Sequence, residues 1–185
     1  LLDLYIGIYK LYQKKWLKKW LKMSKIIKKF LPKLLLKEIH DLITSDSFPW
    51  YVHPWVTFEK EKENEIYFTH MLYNKNQVNS SSYELIVSPF IKKLKFKKLI
   101  RAKLNLYPPS DKIIEHRWHT DRSYSHNVAL FYLNTNNGFT LFKNPKKKIK
   151  SEANKCIIFD GGLQEHKSTT CTDKKFRLTL NINYE

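Results

Sequence analysis

The sequence predicts a mainly β protein, an antiparallel sandwich or jelly roll preceded by helices. Over residues 33–43 the apolar side chains recur at helical spacing, whereas in residues 100–107 and 176–184 they alternate with polar ones. The apolar runs after residue 100 are short, and Pro, Asn and Gly turns separate them where helices could have stood. Short strands joined by turns are typical of antiparallel sheets that pack against each other.

Two helices and a series of strands are predicted in chain order. The first helix covers Lys33–Ile43, with Pro32 at its start, and the second covers Tyr83–Lys95. Short strands and turns are expected between Phe48 and Tyr73. The later strands are expected at Ile100–Tyr107, Asn127–Leu133, Phe139–Phe142, Cys156–Phe159 and Phe176–Tyr184.

The chain of 185 residues is long enough for one domain with a substantial core. Its 42% hydrophobic residues, with only 4 Gly and 7 Pro, exclude a disordered or collagen-like protein. Its 2 cysteines cannot build a disulfide framework, which indicates a reducing compartment: the cytoplasm, or the host cytoplasm if the chain is viral. No apolar stretch is long enough to predict a transmembrane helix, and no signal peptide is expected.

The net charge of +17 raises the question of a nucleic-acid partner. Of the 34 basic residues 30 are Lys and 4 are Arg, whereas surfaces that read bases or bind phosphates favour the forked guanidinium of Arg. An A/T-rich coding sequence produces the same excess of Lys without selection for binding. Nucleic acid is therefore a partner that the composition allows but does not favour.

Residues 1–22 differ from the remainder because Lys side chains interleave with Trp, Tyr and Leu at helical spacing. One hypothesis is a basic amphipathic extension that binds a membrane surface or a partner groove. The other is that these residues lie upstream of the functional protein, since Met23 opens a stretch that resembles an ordinary domain start. The functional domain is then expected at residues 24–185.

His119, Asp121 and His166 are the candidate metal ligands. In an extended segment residues two apart share a face, so His119 and Asp121 can point at one ion. His166 follows the Gly161-Gly162 turn and can approach from another strand. Two imidazoles and one carboxylate form the facial triad of non-haem Fe(II) oxygenases, which leaves positions for oxygen and a chelating cosubstrate. The other histidines are expected to be structural or at the surface: His40, His53, His70, His116 and His126.

The last predicted strand alternates fully between apolar and polar side chains, and its polar face carries Arg177 and Thr179 side by side. A polar face on so apolar a strand requires a polar cavity. A guanidinium beside a hydroxyl is suited to hold a carboxylate in a dry pocket. Elsewhere, Trp118 is expected in the core, and residues 146–148 are expected in a solvated loop near the cavity.

Six segments together resemble one known family over about residues 24–185. They are Asn105-Leu106-Tyr107-Pro108, His119-Thr120-Asp121, Phe131-Tyr132-Leu133-Asn134, Gly138-Phe139-Thr140-Leu141-Phe142, His166 and Arg177-Leu178-Thr179. The series resembles the Fe(II)/2-oxoglutarate-dependent dioxygenase superfamily and is most similar to its prolyl 4-hydroxylase-like branch, many of whose small members are phage or marine bacterial. It departs from that family at Asn137, which stands where a second Gly is usual, and in the basic residues 143–150.

The resemblance implies a double-stranded β-helix with flanking N-terminal helices. It implies Fe(II) as the metal, with His119, Asp121 and His166 as ligands. The residues implied to bind 2-oxoglutarate are Arg177, Thr179 and Tyr107, although a Tyr at a strand end is also common in a core or at a pocket rim. The implied reaction hydroxylates a small molecule or a peptide, such as peptidyl proline, with molecular oxygen. It releases succinate and carbon dioxide, and ascorbate is an optional reductant.

Two other functions remain open. The first is a nucleic-acid alkylation-repair dioxygenase, which Asn105, Tyr107 and the positive charge fit, although such enzymes usually carry further Arg residues where Asn181 and Asn183 stand. The second is a non-catalytic, Lys-rich protein that binds polyanions or membranes through residues 1–22. Fold similarity alone does not choose among these substrates.

Truncation tests the expected boundary at Met23. Because no candidate ligand lies in residues 1–22, a chain starting at Met23 is expected to keep its thermal unfolding midpoint and to form succinate from 2-oxoglutarate. Calorimetry and a succinate assay on both chains measure this. A large fall in the midpoint, as expected if the segment covers apolar surface, or a loss of succinate formation would show that residues 1–22 belong to the working protein.

Overall fold

The computed structural model describes residues 25–54 and 66–185, so the predicted extension at 1–22 lies outside the described residues. The described part contains two helices, α1 (Lys33–Ile43) and α2 (Tyr83–Leu94). Its strands are β1 (Lys25–Ile27), β2 (Tyr51–His53), β3 (Tyr67–Asn74), β4 (Gln77–Val78), β5 (Leu99–Tyr107), β6 (Asn127–Tyr132), β7 (Phe139–Phe142), β8 (Lys147–Lys150), β9 (Lys155–Asp160), β10 (His166–Lys167) and β11 (Arg177–Tyr184). Neither helix is long and apolar enough to cross a membrane.

The described strands form two antiparallel sheets. The larger sheet has eight strands in the order β1-β9-β6-β11-β5-β3-β2, with β4 paired to the end of β3. The smaller sheet has three strands in the order β10-β7-β8. The mainly β prediction is therefore confirmed, with both described helices placed before β5 in the chain.

Strand β11 separates the core from a polar interior face. Its apolar side chains, from Leu178 to Tyr184, pack in one cluster with buried residues of both helices, which include Ile39 of α1 and Phe90 of α2. Phe90 also stacks on Phe30, with ring centres 4.9 Å apart. The intervening residues of β11 point to the opposite side, as strand alternation requires.

A second apolar cluster joins the two sheets. Val128, Leu130 and Tyr132 of β6 pack there with Phe142 of β7 and Ile149 of β8. The neighbouring residues of β6, Ala129 and Phe131, belong to the helix-side cluster. Strand β6 is thus covered on both faces, which explains its nearly continuous run of buried residues.

Most predicted elements are confirmed within one residue of their observed ends. The prediction of a solvated loop at residues 146–148 is wrong in part, because Lys147–Lys150 forms β8 with the single buried side chain Ile149. The prediction that Trp118 lies in the core is also wrong. Trp118 is half-buried, and the ammonium of Lys167 lies 4.5 Å from the centre of its ring, so the indole packs under a charged rim.

Candidate metal centre

One cavity of about 320 Å³ opens between the polar face of the larger sheet and the smaller sheet. It brings together all the residues that the sequence singles out as metal or cosubstrate ligands. They are Tyr107, His119, Asp121, His166, Arg177 and Thr179. The size is at the lower end of the range for ligand pockets.

The pairing of β5 with β11 builds one wall of this cavity. In the ladder Arg177 lies opposite Tyr107, Thr179 opposite Asn105, and Asn181 opposite residue 103. Because residues two apart on a strand share a face, the polar side chains of both strands converge on the cavity.

Backbone hydrogen bonds hold the three candidate metal ligands close together. The amide of His119 donates to the carbonyl of His166 at 3.0 Å, and the amide of His166 donates to the carbonyl of His119 at 2.9 Å. The amide of Asp121 donates to the carbonyl of Gly161 at 2.8 Å. One potential ligand atom from each of the three side chains lies within 4.8 Å of the others.

In each of the two histidines a backbone carbonyl lies within hydrogen-bond distance of Nδ1. The Nδ1 of His119 is 3.2 Å from the carbonyl of Arg117, and that of His166 is 3.0 Å from the carbonyl of Gln164. A carbonyl only accepts, so Nδ1 carries the proton in the neutral form of each ring, and the lone pair of that form lies on Nε2. Burial, followed by the neighbouring His166, lowers the pKa of His119 to about 4, so this imidazole is neutral at pH 7.

Asp121 is held as an ionised carboxylate. The side-chain amides of Asn181 and Asn183 donate to its Oδ2 at 3.2 and 3.1 Å, and Arg101 lies 3.5 Å from its Oδ1. Burial alone would raise the pKa of Asp121, but the charges of His166 and Arg101 outweigh it and lower the pKa to about 2. Two imidazoles and one carboxylate are a donor set that fits Fe(II) with coordination positions left open.

Arg177 is a fully buried cation at the other end of this wall. Its Nε donates to Ser151 at 2.8 Å, and its terminal nitrogens donate to Thr140 at 3.2 Å and to the carbonyl of Thr169 at 3.4 Å. No Asp or Glu in the described ranges forms an ion pair with it. Since an unpaired buried charge is costly, the site fits an anionic ligand such as a carboxylate.

Gly138 provides the space that the Arg177 side chain occupies. A Cβ on Gly138 would lie 2.7 Å from the Cδ of Arg177 and 2.7 Å from the carbonyl oxygen of Thr170. Packing against Arg177 therefore requires a glycine at this position.

Tyr107 and Thr179 supply hydroxyl groups beside Arg177. The Thr179 hydroxyl accepts from the Asn105 amide at 3.2 Å, and Tyr107 lines the same cavity as Ser168 and Thr179. Burial raises the pKa of Tyr107, so its hydroxyl is neutral and able to donate.

Several cavity residues were not predicted from the sequence. They are His53, Tyr67, Thr69, Met71, Arg101 and Lys103 among others. His53, expected to be structural or at the surface, lines the cavity from β2. The polar positions of β5, which alternate with apolar ones, are the local signal that could have identified Arg101 and Lys103.

The remaining described histidines do not join the metal ligands. His70 is buried with ring nitrogens 2.7 Å from both the Pro49 carbonyl and the Ser80 hydroxyl, as a structural residue would be. His126 is buried and bonds to the carbonyl of Tyr124 at 2.9 Å. His116, expected to be structural or at the surface, is buried and stacks on Tyr107, with ring centres 5.2 Å apart, so it is structural.

The fold is shared with solved structures of oxygenases, although no known family model and no curated protein matches the sequence. An oxidoreductase of the 2OG-Fe(II) oxygenase family from Burkholderia pseudomallei superposes with a TM-score of 0.67 at 12% identity, over 88% of this chain and 84% of the other. A second structure is a prolyl hydroxylase from Trichoplax adhaerens in complex with a hypoxia inducible factor oxygen degradation domain peptide fragment. It superposes with a TM-score of 0.66 at 13% identity, over 87% of this chain and 82% of the other. A Pseudomonas putida prolyl-4-hydroxylase superposes with a TM-score of 0.61 at 15% identity, over 88% of this chain and 92% of the other.

The chain therefore has the fold of the Fe(II)- and 2-oxoglutarate-dependent oxygenases, and prolyl hydroxylases are among its structural neighbours. The resemblance noted in the sequence is confirmed at the level of the fold. At 12–15% identity the similarity does not identify a substrate.

His116 makes the stability of the metal-free protein depend on pH. Burial, followed by the charges of Arg177 and His119, lowers the pKa of His116 to about 3, whereas it is about 6.5 in an unfolded chain. Below that value the unfolded chain binds a proton that the folded chain does not, so acid destabilises the fold. From this group alone we expect the free energy of unfolding to fall by about 2 kcal/mol between pH 7 and pH 5.

Urea titrations of the metal-free protein across this pH range measure the effect. The His116→Phe variant keeps an aromatic ring beside Tyr107 but cannot titrate, so its stability should fall less steeply with acid. Identical pH slopes for the variant and the parent chain would contradict the assignment.

Proposed function

We propose that this protein is an Fe(II)- and 2-oxoglutarate-dependent hydroxylase built on a double-stranded β-helix. The observation that carries the proposal is a single cavity that joins the His119, Asp121 and His166 cluster to the buried, unpaired guanidinium of Arg177. The shared fold supports it, because the neighbours include proteins described as prolyl hydroxylases and as a 2OG-Fe(II) oxygenase.

In this proposal the chain supplies three metal ligands and fixes their chemical state. The Nε2 atoms of His119 and His166 and the carboxylate of Asp121 would bind Fe(II). The hydrogen bonds that each Nδ1 donates to the Arg117 and Gln164 carbonyls set the tautomers and orient the rings. When bound, the metal and 2-oxoglutarate together supply the oxidising power that inserts one oxygen atom from O₂ into the substrate.

Arg177, Thr179 and Tyr107 would hold the far carboxylate of 2-oxoglutarate. The guanidinium provides the opposite charge, and its own position is fixed by Thr140 and Ser151 before any ligand binds. The neutral hydroxyls of Tyr107 and Thr179 can add donors to the same carboxylate. Preorganised donors in a buried site avoid the free energy of ordering them on binding.

The substrate in this proposal is a small molecule or a peptide. A peptidyl substrate is supported by the Trichoplax adhaerens neighbour, which was solved with a peptide fragment. In place of the further Arg residues usual in alkylation-repair enzymes, Asn181 and Asn183 donate to Asp121, so nothing in this part of the site favours a nucleobase.

Iron binding and uncoupled turnover test the metal ligands. The purified protein is expected to bind Fe(II) and to convert 2-oxoglutarate slowly to succinate without another substrate. Loss of a residue that only hydrogen-bonds to a metal ligand typically lowers metal affinity by about 10–100-fold. His119→Ala and His166→Ala each remove a ligand itself, so each should lower iron affinity by at least that factor. Anaerobic iron titration and mass spectrometry of succinate measure both effects.

His40→Ala is the matched control, because His40 lies on α1 and does not line the cavity. It should bind iron and form succinate as the parent chain does. Parental iron affinity and turnover in the His119 and His166 variants would show that the metal assignment is wrong.

Arg177 tests the cosubstrate end of the cavity. Replacing it by Met removes the guanidinium but retains most of the volume, and truncating a buried charge pair costs about 2–5 kcal/mol. Affinity for 2-oxoglutarate should therefore fall by tens-fold or more in Arg177→Met and by less in Arg177→Lys, which keeps the charge. Iron affinity should be largely retained. Equal affinity for 2-oxoglutarate in Arg177→Met and the parent chain would refute the carboxylate role.

A further inference from the structure

Lys103 is a cation of β5 that faces the cavity beside the candidate metal ligands. In the sheet it pairs with Asn181, whose side chain donates to Asp121, and on its other side with Met71 of β3. Its ammonium donates to the Tyr67 hydroxyl at 3.1 Å and lies 5.3 Å from the centre of the same ring. The positive charge of Lys103 therefore lies at the end of the cavity where Asp121 lies, and it is held on the side of β3.

Arg177 and Lys103 face different parts of the cavity. Arg177 is held by Thr140 of β7 and Ser151 after β8, whereas Lys103 is held by Tyr67 of β3. Along β5, Lys103 is four residues from the partner of Arg177 in the ladder, which corresponds to about 13 Å of strand. Two separate anionic groups suit this arrangement better than one.

Lys103 also lacks an acidic partner once the other charges are assigned. The described cavity lining contains the cations Arg101, Lys103 and Arg177 and the single carboxylate Asp121. Arg101 pairs with Asp121, and the proposed function assigns Arg177 to 2-oxoglutarate. Across residues 25–54 and 66–185 no Asp or Glu forms an ion pair with Lys103. A half-buried ammonium without a counter-ion favours an anion in the cavity.

We propose that Lys103 binds a carboxylate of the substrate, so that the compound hydroxylated is an acid. The proposal rests on the proposed function, because it assumes that 2-oxoglutarate occupies the Arg177 end. The Lys103 ammonium donates to one carboxylate oxygen, and the Tyr67 hydroxyl, which accepts from Lys103, still has its own proton to donate. The carboxylate belongs either to a free small acid or to an acidic side chain of a peptide.

The charge state of Lys103 is compatible with this role. Burial, followed by the charge of Arg101, lowers the pKa of Lys103 to about 8, so the ammonium form predominates at neutral pH. A bound carboxylate favours that form further. The adjoining Tyr67 ring stacks on Tyr107, with ring centres 5.5 Å apart, which fixes the hydroxyl beside Lys103.

The test compares acids with their amides on the protein loaded with Fe(II) and 2-oxoglutarate under anaerobic conditions. The small probes are N-acetylproline and N-acetylprolinamide, and the peptide probes are a proline peptide with a neighbouring Asp and the same peptide with Asn. Ligand-observed NMR measures their affinities. In at least one pair the acid is expected to bind at least tenfold more tightly than the amide, and the pair that shows it distinguishes a free acid from a peptide side chain.

The variants attribute the preference to one side chain. Lys103→Met, or Lys103→Gln if the first variant does not fold, is expected to bring the acid-to-amide ratio close to one, whereas Lys103→Arg keeps it. Lys112→Met is the control, because it removes the same charge from an exposed residue outside the cavity and should keep the parental ratio. Equal affinities for acid and amide in both probe pairs with the parent chain, or an unchanged ratio in the Lys103→Met or Lys103→Gln variant used, overturn the proposal.

Measurements on the parent chain separate this inference from the proposed function. If the parent chain binds 2-oxoglutarate and forms succinate but shows no preference for acids, only the role of Lys103 fails. If the parent chain does not bind 2-oxoglutarate at all, the proposed function fails, and the inference about Lys103 fails with it.

Discussion

The guanidinium of Arg177 is fully buried on β11, and no carboxylate among the described residues pairs with it. Hydroxyl and carbonyl oxygens of Ser151, Thr140 and Thr169 accept its hydrogen bonds, but they carry no full negative charge. Burying a cation away from water costs free energy, and either other strong interactions or an anionic ligand must offset that cost. The surrounding structure is arranged around this requirement: Gly138 makes room for the side chain, and the cavity gives an anion access to it.

Strand β11 connects this site to the core. Leu178, Leu180 and Ile182 pack against the helices, while Arg177 and Thr179 face the cavity from the same eight residues. Alternation along one strand therefore fixes the site and the core together, because a shift of one residue in register would bury the polar set and expose the apolar set to the cavity. The side-chain amides of Asn181 and Asn183, on the same polar face of β11, donate hydrogen bonds to the carboxylate of Asp121 at the metal end of the cavity.

The sequence predicts those parts of the molecule that leave a local signal. Periodicity predicts α1 and the strands β5 and β11, the turn residues between apolar runs predict β6, β7 and β9, and the spacing of His119 and Asp121 predicts a shared ligand face. Strands β1, β8 and β10 have between two and four residues, too few for a period to show. His53 and Tyr67 reach the cavity only because β2 and β3 pair beside β5, and such pairing between distant segments leaves no pattern in either one. Lys103 is visible as a polar position of β5, but its missing counter-ion appears only when the surrounding strands are assembled.

A crystal structure of the protein grown anaerobically with Fe(II) and 2-oxoglutarate tests the central claim most directly. The account predicts one metal ion bound by Nε2 of His119, Nε2 of His166 and the carboxylate of Asp121, at the bond lengths of first-row metals. It also predicts that 2-oxoglutarate chelates this ion and places its far carboxylate within hydrogen-bond distance of the Arg177 guanidinium. A metal bound elsewhere, or an Arg177 that remains without an anion at saturating 2-oxoglutarate, would contradict it.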